Sequence, residues 1–280
     1  MQIALSSGIR NTLLTIQQTT RAANQSEQRL ATGLKVNSAT DNPLAFFSAA
    51  GLRDRAGDLA GLQDQMQQAT RTISAATTGI EGMKKLFETA QGIANQAAAE
   101  QDATVRGQLQ TQFNEILTQV DDLMTNSGYG GVNLLNGGTL NVRFDASDTS
   151  ASLALSVNGG TVLDAATLGV TTNAAGGWTN GASDTVGDAN IQTQLTNLRT
   201  AITSLRTEAS RLGANNAIIT ARQEFTENMI STLRAGADDW TLADLNEEGA
   251  KLTSLNTRNQ IAQTALALAS QRDQSVLRLF

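Results

Sequence analysis

The chain has 280 residues, enough for one large domain or two of moderate size. Aromatic residues make up only 4% of it and hydrophobic residues 40%, which suits thin layers of helix better than the thick interior of a globule. The absence of histidine and cysteine lowers the expectation of hydrolytic or metal-dependent catalysis, and a net charge of −6 argues against nucleic-acid binding. We therefore expect no enzyme activity, no cofactor and no metal.

The chain begins with an amphipathic stretch. Apolar side chains at Ile3, Leu5, Ile9 and Leu13 predict a first helix with one apolar face. The stretch lacks the basic region, apolar core and small-residue cleavage site of a signal peptide, and no run of 18 apolar residues occurs in the chain. We expect neither a cleaved signal nor a membrane insertion.

A polar segment, RLATGLKVNSATDNPLAFF, then runs from Arg29 to Phe47 and contains the single proline of the chain. Gly33 permits a bend there. Asn42 followed by Pro43 is typical of a helix N-cap and a first helical residue. We interpret this segment as a bridge between the first helix and a second, much longer one.

The strongest pattern in the chain lies between residues 59 and 97. Apolar residues there alternate in steps of three and four, which predicts one long helix with a coiled-coil seam. The seam is rich in alanine, so a partner helix can approach closely. Its members are Leu59, Leu62, Met66, Ala69, Ile73, Ala76, Ile80, Met83, Phe87, Ala90, Ala94 and Ala97.

A further helical stretch follows a break at AEQDAT, and the glycines of NSGYGGVNLLNGG end it near residue 126. Its predicted apolar positions are Val105, Leu109, Phe113, Ile116, Val120 and Leu123.

Residues 139–187 are rich in Gly, Thr, Asn, Ser and Asp and form a different kind of segment. Within them, TLNVRFD and SLALSVNGG alternate apolar and polar residues, which predicts a β-hairpin. The remainder is interpreted as loop. We expect a small β and loop insertion between long helices.

Helical periodicity resumes near residue 191. The stretch RAGADDWT is expected to break it, and Thr241 with Asp244 is interpreted as the capping pair that starts a final helix. The apolar positions of the third long helix are Ile191, Leu195, Leu198, Ile202, Leu205, Ala209, Leu212, Ile219, Phe225, Met229 and Leu233, and those near the end of the chain include Ile261, Leu266, Leu268, Val276, Leu279 and Phe280.

These elements predict a mainly α fold, a long antiparallel coiled-coil-like helical rod with a small β-hairpin and loop insertion in the middle. An apolar end left in water is a liability, so the final segment should be buried against something, most simply another copy. The expected divisions are 1–42 and 236–280 for an inner helical part, 43–138 and 188–235 for an outer helical part, and 139–187 for the insertion.

Patterns for bound ligands are weak. NSGYGGVNLLNGG lacks the lysine and frame of a phosphate-binding loop, and the acidic stretches FDASD and ADDWTLADLNEE lack the ligand order of an EF-hand. Faces rich in Gln, Asn and Thr are either solvated or meet identical copies through many modest hydrogen bonds.

Five segments in order resemble the bacterial flagellins. RLATGLKVNSATDNP (29–43), GYGGVNLLNG (128–137), RLGANNAIITARQEF (211–225) and DDWTLADLNEEGAKL (238–252) are similar to flagellin motifs, and VLRLF (276–280) stands where L-S-L-L is usual. The resemblance covers both ends and both long helices. NPLAFF stands where many flagellins have an Ala/Gly-rich helix start, and it resembles the pattern of some alphaproteobacterial flagellins, which indicates a short flagellin of that kind.

This resemblance implies a structural subunit that self-assembles into the flagellar filament for swimming motility. It implies an extracellular location, export through the flagellar secretion channel, and contacts with other flagellins, with cap and hook-associated proteins, and with an export chaperone on the C-terminal helix. The subunit-interface candidates are Ile3, Leu5, Ile9, Leu13, Arg29, Lys35, Asn37, Asp41, Leu266, Val276, Leu279 and Phe280.

The segment KKLFETAQGIAN (84–95) aligns with the part of many flagellins that animal Toll-like receptors bind. Lys85 and Phe87 replace arginines of the usual pattern, beside Glu88. Since phenylalanine cannot offer a planar charged fork, we expect weak recognition. The absence of H-E-x-x-H excludes the zinc-protease insertion of some flagellins.

Two other readings stay open at this point. A hook–filament junction protein shares part of the NPLAFF pattern, although it is usually longer and lacks GVNLLNG. A cytoplasmic signalling coiled coil of the chemoreceptor type has similar heptads, but the missing membrane span and the β insertion count against it.

Overall fold

The structure is a computed structural model that describes residues 7–148, 150–172, 177–179 and 185–277. These residues are mainly helical, as predicted, and carry one two-stranded antiparallel sheet. The elements are α1 (Ser7–Thr32), α2 (Pro43–Ala99), α3 (Ala103–Asn126), β1 (Thr139–Arg143), β2 (Ser152–Ser156), α4 (Thr185–Thr241) and α5 (Leu245–Leu277), with a 3-10 turn at Asn158–Gly160.

The chain divides into two compact units. One comprises Met1–Ala56 with Ser231–Phe280, and the other comprises Gly57–Ile230. Helices α2 and α4 each contribute residues to both units. We refer to them below as the terminal unit and the central unit.

The predicted seam of α2 is buried along its whole length. All twelve of its members, from Leu59 to Ala97, are less than 9% exposed, and seven of them have no exposed surface at all. The prediction is therefore confirmed. Apolar residues spaced three and four positions apart lie on one face of a helix, and that face packs against the rest of the unit.

Helix α3 buries a different line of residues from the predicted one. Leu117 and Met124 are buried where Ile116 and Leu123 were expected, and Val105 is 38% exposed. Phe113 and Val120 are buried as predicted. Apolar residues occupy adjacent positions on this helix, so the sequence alone does not show which member of each adjacent pair faces the core.

Two glycines of α2 allow other segments to pack tightly against it. A Cβ at Gly82 would lie 2.5 Å from Leu123 Cδ2, and one at Gly79 would lie 2.3 Å from Ser127 Oγ. Since real Cβ atoms almost never come this close to a neighbour, larger residues would displace the end of α3.

The predicted apolar positions of α4 hold at Ile191, Leu195, Leu198, Ile202, Leu205, Leu212, Ile219 and Leu233, all of which are buried. The prediction that Phe225 faces the core is wrong, because this residue is 56% exposed and its neighbour Thr226 is buried instead. Ala209 and Met229 are only partly buried. After Ile219 the buried line advances by seven residues to Thr226, which leaves Phe225 facing solvent.

The predicted β-hairpin is confirmed, with Thr139 paired to Ser156 and Arg143 to Ser152. Its inward residues Val142, Leu155 and Val157 are buried. Helix α4 holds the hairpin in place: the Arg222 guanidinium lies 5.2 Å from the centre of the Phe144 ring, and Arg211 Nη2 donates to the Ser156 carbonyl. The hairpin is thus part of the central unit.

A buried tryptophan fixes the segment that returns to α4. Trp178 is 1% exposed, its ring centre lies 5.0 Å from that of Phe113, and its backbone N–H donates to Gln110 Oε1 over 3.1 Å. Nearby, the buried Arg106 donates to Asp188 Oδ1 over 2.6 Å. These contacts join α3 to the first turns of α4.

In the terminal unit, α1 and α5 pack antiparallel. Ser26 meets Glu248, whereas the earlier residue Thr20 meets the later residue Asn259. Among the residues of this pair whose burial is described, few side chains are buried: Ile9, Ala23 and Ser26 on α1 and Glu248 on α5.

The expected break before the final helix is shorter and later than predicted. Helix α4 continues through RAGADDWT to Thr241, and α5 starts at Leu245. Asp244, rather than Thr241, caps α5, since its Oδ1 accepts from the backbone N–H groups of Asn246 and Glu247. Ala237 and Thr241 are buried, so packing extends the helix past its local stop signals.

Candidate assembly surfaces

The bridge after α1 is held against the end of α4. Gly33 adopts a φ of +73°, which turns the chain as predicted, and its carbonyl accepts from Ala243 N–H over 2.9 Å. Lys35 N–H donates to the Thr241 carbonyl over 2.8 Å, and Lys35 Nζ donates to the Asp239 carbonyl over 2.9 Å. The bridge therefore closes the terminal unit.

Asp41 organises the second half of the bridge. Its Oδ2 accepts from the N–H groups of Asn37 and Ser38 and from the Ser38 hydroxyl. These hydrogen bonds, from Asn37 first and then Ser38, lower the pKa of Asp41 below its usual value. The carboxylate is exposed and holds a tight loop just ahead of α2.

Asn42 caps α2 as the sequence predicted. Its Oδ1 accepts from Ala45 N–H over 3.1 Å, and Pro43 is the first helical residue. Arg53, three turns further along, donates to the Thr241 hydroxyl over 2.7 Å. The start of α2 is thus fixed to the end of α4 within the terminal unit.

A buried carboxylate joins α1 to α5. Glu248 is 7% exposed, its Oε2 accepts from the Ser26 hydroxyl over 2.7 Å, and its Oε1 accepts from Arg29 Nη1 over 2.7 Å. Lys251 Nζ lies 3.8 Å from the same carboxylate. The hydrogen bond from Arg29, followed by that from Ser26, lowers the pKa of Glu248, so the group is ionised at neutral pH.

This polar cluster fixes the alignment of the two helices. Both carboxylate oxygens have a donor, so the buried charge is paired and hydrogen-bonded. Sliding α5 by one turn along α1 would separate Glu248 from Ser26 and Arg29 and leave a buried charge unpaired. The cluster thus favours one register between two helices that bury few other side chains.

The terminal helices also carry large apolar side chains in solvent. On α1, Leu13 is 41% exposed and Leu14 is 53% exposed; on α5, Ile261 is 63% and Leu268 is 62% exposed. In the same unit, Leu44, Phe47, Trp240, Leu242 and Leu245 are exposed as well. Such accumulations on one protein usually mark interaction surfaces.

The predicted interface residues have different surroundings in the structure. Leu13 is exposed and Leu266 is half-buried, whereas Ile9 is buried against its own chain. Arg29 pairs with Glu248 of its own chain. Asn37 and Asp41 contact each other and are exposed, Lys35 is bonded to Asp239, and Val276 lies in the last turn of α5; Ile3, Leu5, Leu279 and Phe280 lie outside the described residues.

The segment aligned with receptor recognition is only partly available. Phe87 is fully buried in the seam of α2, so it is a core residue and not a surface position. Lys85 and Glu88 are exposed, and Glu88 is 3.6 Å from Lys84. Weak recognition by Toll-like receptors stays a prediction. Its cause would be that the side chain at position 87 is buried and offers no contact at the surface.

Glu248, Ser26 and Trp240 were not singled out from the sequence. A weak signal existed for Ser26, because it continues the buried line of Ala23 on α1 with a polar residue. No comparable pattern marks Glu248, whose partners are 219 and 222 residues away. Among the described residues there is no group of three potential metal ligands, and no described helix is apolar enough to cross a membrane.

These features define a class of protein: paired terminal helices with exposed apolar faces and a central helical unit with its own core suit a subunit of an assembly. The model for the "bacterial flagellin N-terminal helical region" matches residues 7–139, and that for the "bacterial flagellin C-terminal helical region" matches residues 195–280. The chain belongs to the bacterial flagellin family. It is a structural subunit of the flagellar filament.

Individual relatives agree. The chain is 28% identical to a flagellin of Brucella melitensis, covering 96% of this chain and 95% of the relative. It is 26% identical to the flagellin FljM of Caulobacter vibrioides, covering 99% and 98%. A crystal structure of Bacillus cereus flagellin superposes with a TM-score of 0.46 at 17% identity, over 58% of this chain and 88% of that one. The Brucella and Caulobacter relatives support a short flagellin of the alphaproteobacterial type.

Proposed function

We propose that this flagellin joins the filament by covering the exposed apolar faces of α1 and α5 with the same helices of neighbouring copies. The observation that carries the proposal is the exposure of Leu13, Leu14, Ile261 and Leu268 on two paired helices that bury few of their described side chains. Covering these side chains removes apolar surface from water, which is the main favourable term in association.

The Glu248 cluster would give this surface a fixed shape. An assembly in which each copy meets several identical ones needs every copy to present the same pattern of side chains. By fixing the register of α1 against α5, Ser26, Arg29 and Glu248 set which apolar residues lie side by side. Lys35, Asn37 and Asp41, exposed on the bridge, would contact neighbouring copies at its edge.

In this proposal the two units have separate tasks. Residues 1–42 and 236–280 form the inner helical part of the filament subunit, residues 43–138 and 188–235 form the outer helical part, and residues 139–187 form the surface insertion. The protein acts without enzymatic activity, cofactor or metal. It is exported through the flagellar secretion channel without a cleaved signal, with a chaperone on the C-terminal helix, and it meets cap and hook-associated proteins at the filament ends.

A truncation tests the proposal. The full chain and a variant lacking Leu266–Phe280 are each incubated with short filament seeds, and growth is followed by sedimentation and electron microscopy. The full chain is expected to elongate the seeds, whereas the truncated chain is expected to remain in the supernatant because it lacks part of the exposed face of α5.

Circular dichroism of the truncated chain provides the control, since it should retain the helix signal of the central unit. Elongation by the truncated chain at the normal rate would refute the role of α5. Failure of the full chain to elongate seeds would instead count against self-assembly altogether.

A further inference from the structure

A second exposed apolar stripe lies on α4 within the central unit. Ala214, Ile218, Ala221 and Phe225 follow one another in steps of four, three and four, and all are exposed, Ile218 by 46% and Phe225 by 56%. This spacing places the four residues on one face of α4. That face is exposed, whereas the face that carries Leu212 and Ile219 is buried. The intramolecular core thus leaves a coiled-coil-like seam without a partner.

The stripe ends on a charged residue at its N-terminal side. Arg211, one step before Ala214, is 42% exposed, and it uses Nε and Nη2 to contact Glu208 and the Ser156 carbonyl. Its Nη1 group donates to none of the described residues, so one edge of the guanidinium is available for a carboxylate. A depression of about 510 Å³ lies beside it, lined by Thr203, Arg206, Thr207, Ser210, Arg211 and Ala214.

A matching stripe occurs at the start of α2 in the terminal unit. Leu44, Phe47, Gly51 and Asp54 are spaced by three, four and three residues, and all are exposed, Leu44 by 71% and Phe47 by 65%. A Cβ at Gly51 would meet no atom within 4 Å, so this position is an open notch in the helix surface. The stripe begins apolar and ends acidic.

We propose that these two stripes dock on each other between two copies of the chain, with α4 of one copy antiparallel to α2 of the other. The proposal rests on the proposed function, because it requires the chain to polymerise. In antiparallel seams, the residue that ends a three-residue step meets one that ends a four-residue step. That rule pairs Ala221 with Leu44, Ile218 with Phe47, Ala214 with Gly51 and Arg211 with Asp54.

The four pairs are complementary in size and charge. Ile218 against Phe47 is a contact between two large apolar side chains, and Ala214 against Gly51 lets the backbones approach. Arg211 against Asp54 places opposite charges at the same end of the seam. Antiparallel docking thus brings Arg211 to Asp54, whereas parallel docking would place Arg211 beside Leu44 and Asp54 beside Ala221.

Disulfide trapping tests the pairing, and the chain suits it because it contains no cysteine. Filaments are grown from an equimolar mixture of the variants Ala214→Cys and Gly51→Cys and then oxidised. Both positions are exposed, and a disulfide requires Cα atoms within about 7 Å, so only close helices are trapped. The matched control replaces Gly51→Cys by Gly57→Cys, which is also an exposed α2 glycine with an open Cβ position but lies off the stripe.

Covalent dimers from the Ala214→Cys and Gly51→Cys mixture, and none from the control mixture, are the expected result. Filaments that give no dimers from either mixture, or equal amounts from both, would overturn the pairing while leaving polymerisation intact. Filaments that fail to form from the unmodified chain would overturn the proposed function instead.

A charge reversal keeps the proposal testable if the cysteine variants do not polymerise. Asp54→Arg should raise the concentration needed for seed growth by about two- to fivefold, the range expected for an exposed ion pair. Asp64→Arg, on another exposed part of α2, is the matched control and should leave growth nearly unchanged. Equal effects of the two variants would contradict the pairing.

Discussion

The central and terminal units solve the packing of long helices in opposite ways. In the central unit, the α2 seam from Leu59 to Ala97 is buried throughout. In the terminal unit, α1 and α5 run side by side but leave Leu14, Ile261 and Leu268 more than half exposed. The long seam of α2 is covered within one chain, whereas the paired helices of the terminal unit bury few side chains and leave large apolar ones uncovered.

This difference indicates which helices are stable in an isolated chain. Burial of apolar side chains supplies most of the favourable free energy of folding, so the central unit should be the stable part of an isolated chain. The terminal unit instead relies on a hydrogen-bonded carboxylate, a loop closed by Asp41 and backbone bonds to the bridge. Such contacts fix geometry more than they supply stability.

The largest effect should come from the core of the central unit. Phe87→Ala removes a side chain with no exposed surface and should lower the free energy of unfolding by about 3–5 kcal/mol, because it leaves a cavity. Thermal unfolding followed by circular dichroism measures the change. Lys85→Ala, two residues away and exposed, is the control and should leave the midpoint nearly unchanged. Equal effects of the two variants would mean that the buried seam is not what stabilises the central unit.

The Glu248 cluster offers the next test, within the terminal unit. Glu248→Gln keeps the size of the side chain but replaces a paired carboxylate by a neutral amide, which should cost about 1–3 kcal/mol at pH 7. The pKa of Glu248 is lowered in the folded chain, so its ionised form stabilises the fold above the unfolded pKa of about 4.3. That contribution is lost as the pH falls through the folded pKa.

Unfolding of the wild type and of Glu248→Gln should therefore converge under acidic conditions. The measurement is the difference between their unfolding midpoints from pH 7 down to pH 3. Glu247→Gln, an exposed neighbour in the first turn of α5, is the matched control and should show a smaller and flatter difference. A Glu248→Gln difference that stays constant with pH would show that the charge of this residue has no stabilising role.

The exposed apolar face provides a test of assembly without a change in stability. Ile261→Ser should leave the unfolding of the isolated chain unchanged, since Ile261 is 63% exposed there. It should raise the concentration needed for seed growth roughly tenfold, the equivalent of about 1.4 kcal/mol of lost apolar burial. Gln260→Ser, at the adjacent exposed position, should leave growth unaffected. Unaltered growth of Ile261→Ser would mean that the filament does not cover this face.

The parts of the fold that the sequence predicted are those with strong local patterns. Twelve apolar residues in unbroken three-and-four steps left one face for α2 to bury, and Asn42-Pro43 marked its start. The hairpin followed from strict alternation around Val142 and Leu155. In each case neighbouring residues carried the whole signal.

The parts that it did not predict depend on distant contacts. Gly236 and the two aspartates after it resemble a helix end, yet burial of Ala237 and Thr241 carries α4 onward. On α4 the positions near Phe225 have apolar residues on two faces, and only the packed structure shows that Thr226 faces inward. Glu248 finds Ser26 across 222 residues, and no local period indicates such a pair.

The smallest expected effect concerns the cap at the start of α2. Asn42→Ala removes the side-chain oxygen that accepts from Ala45 N–H and should cost about 1 kcal/mol, the usual value for a lost N-cap. Because Asn42 belongs to the terminal unit, hydrogen exchange should accelerate at Ala45 and Phe46 while the amides of the α2 seam from Met66 onward keep their protection. Asn37→Ala is the control, since the backbone N–H of residue 37 still binds Asp41. Faster exchange along the whole seam would mean that the two units unfold together and that their contrast in burial does not translate into separate stabilities.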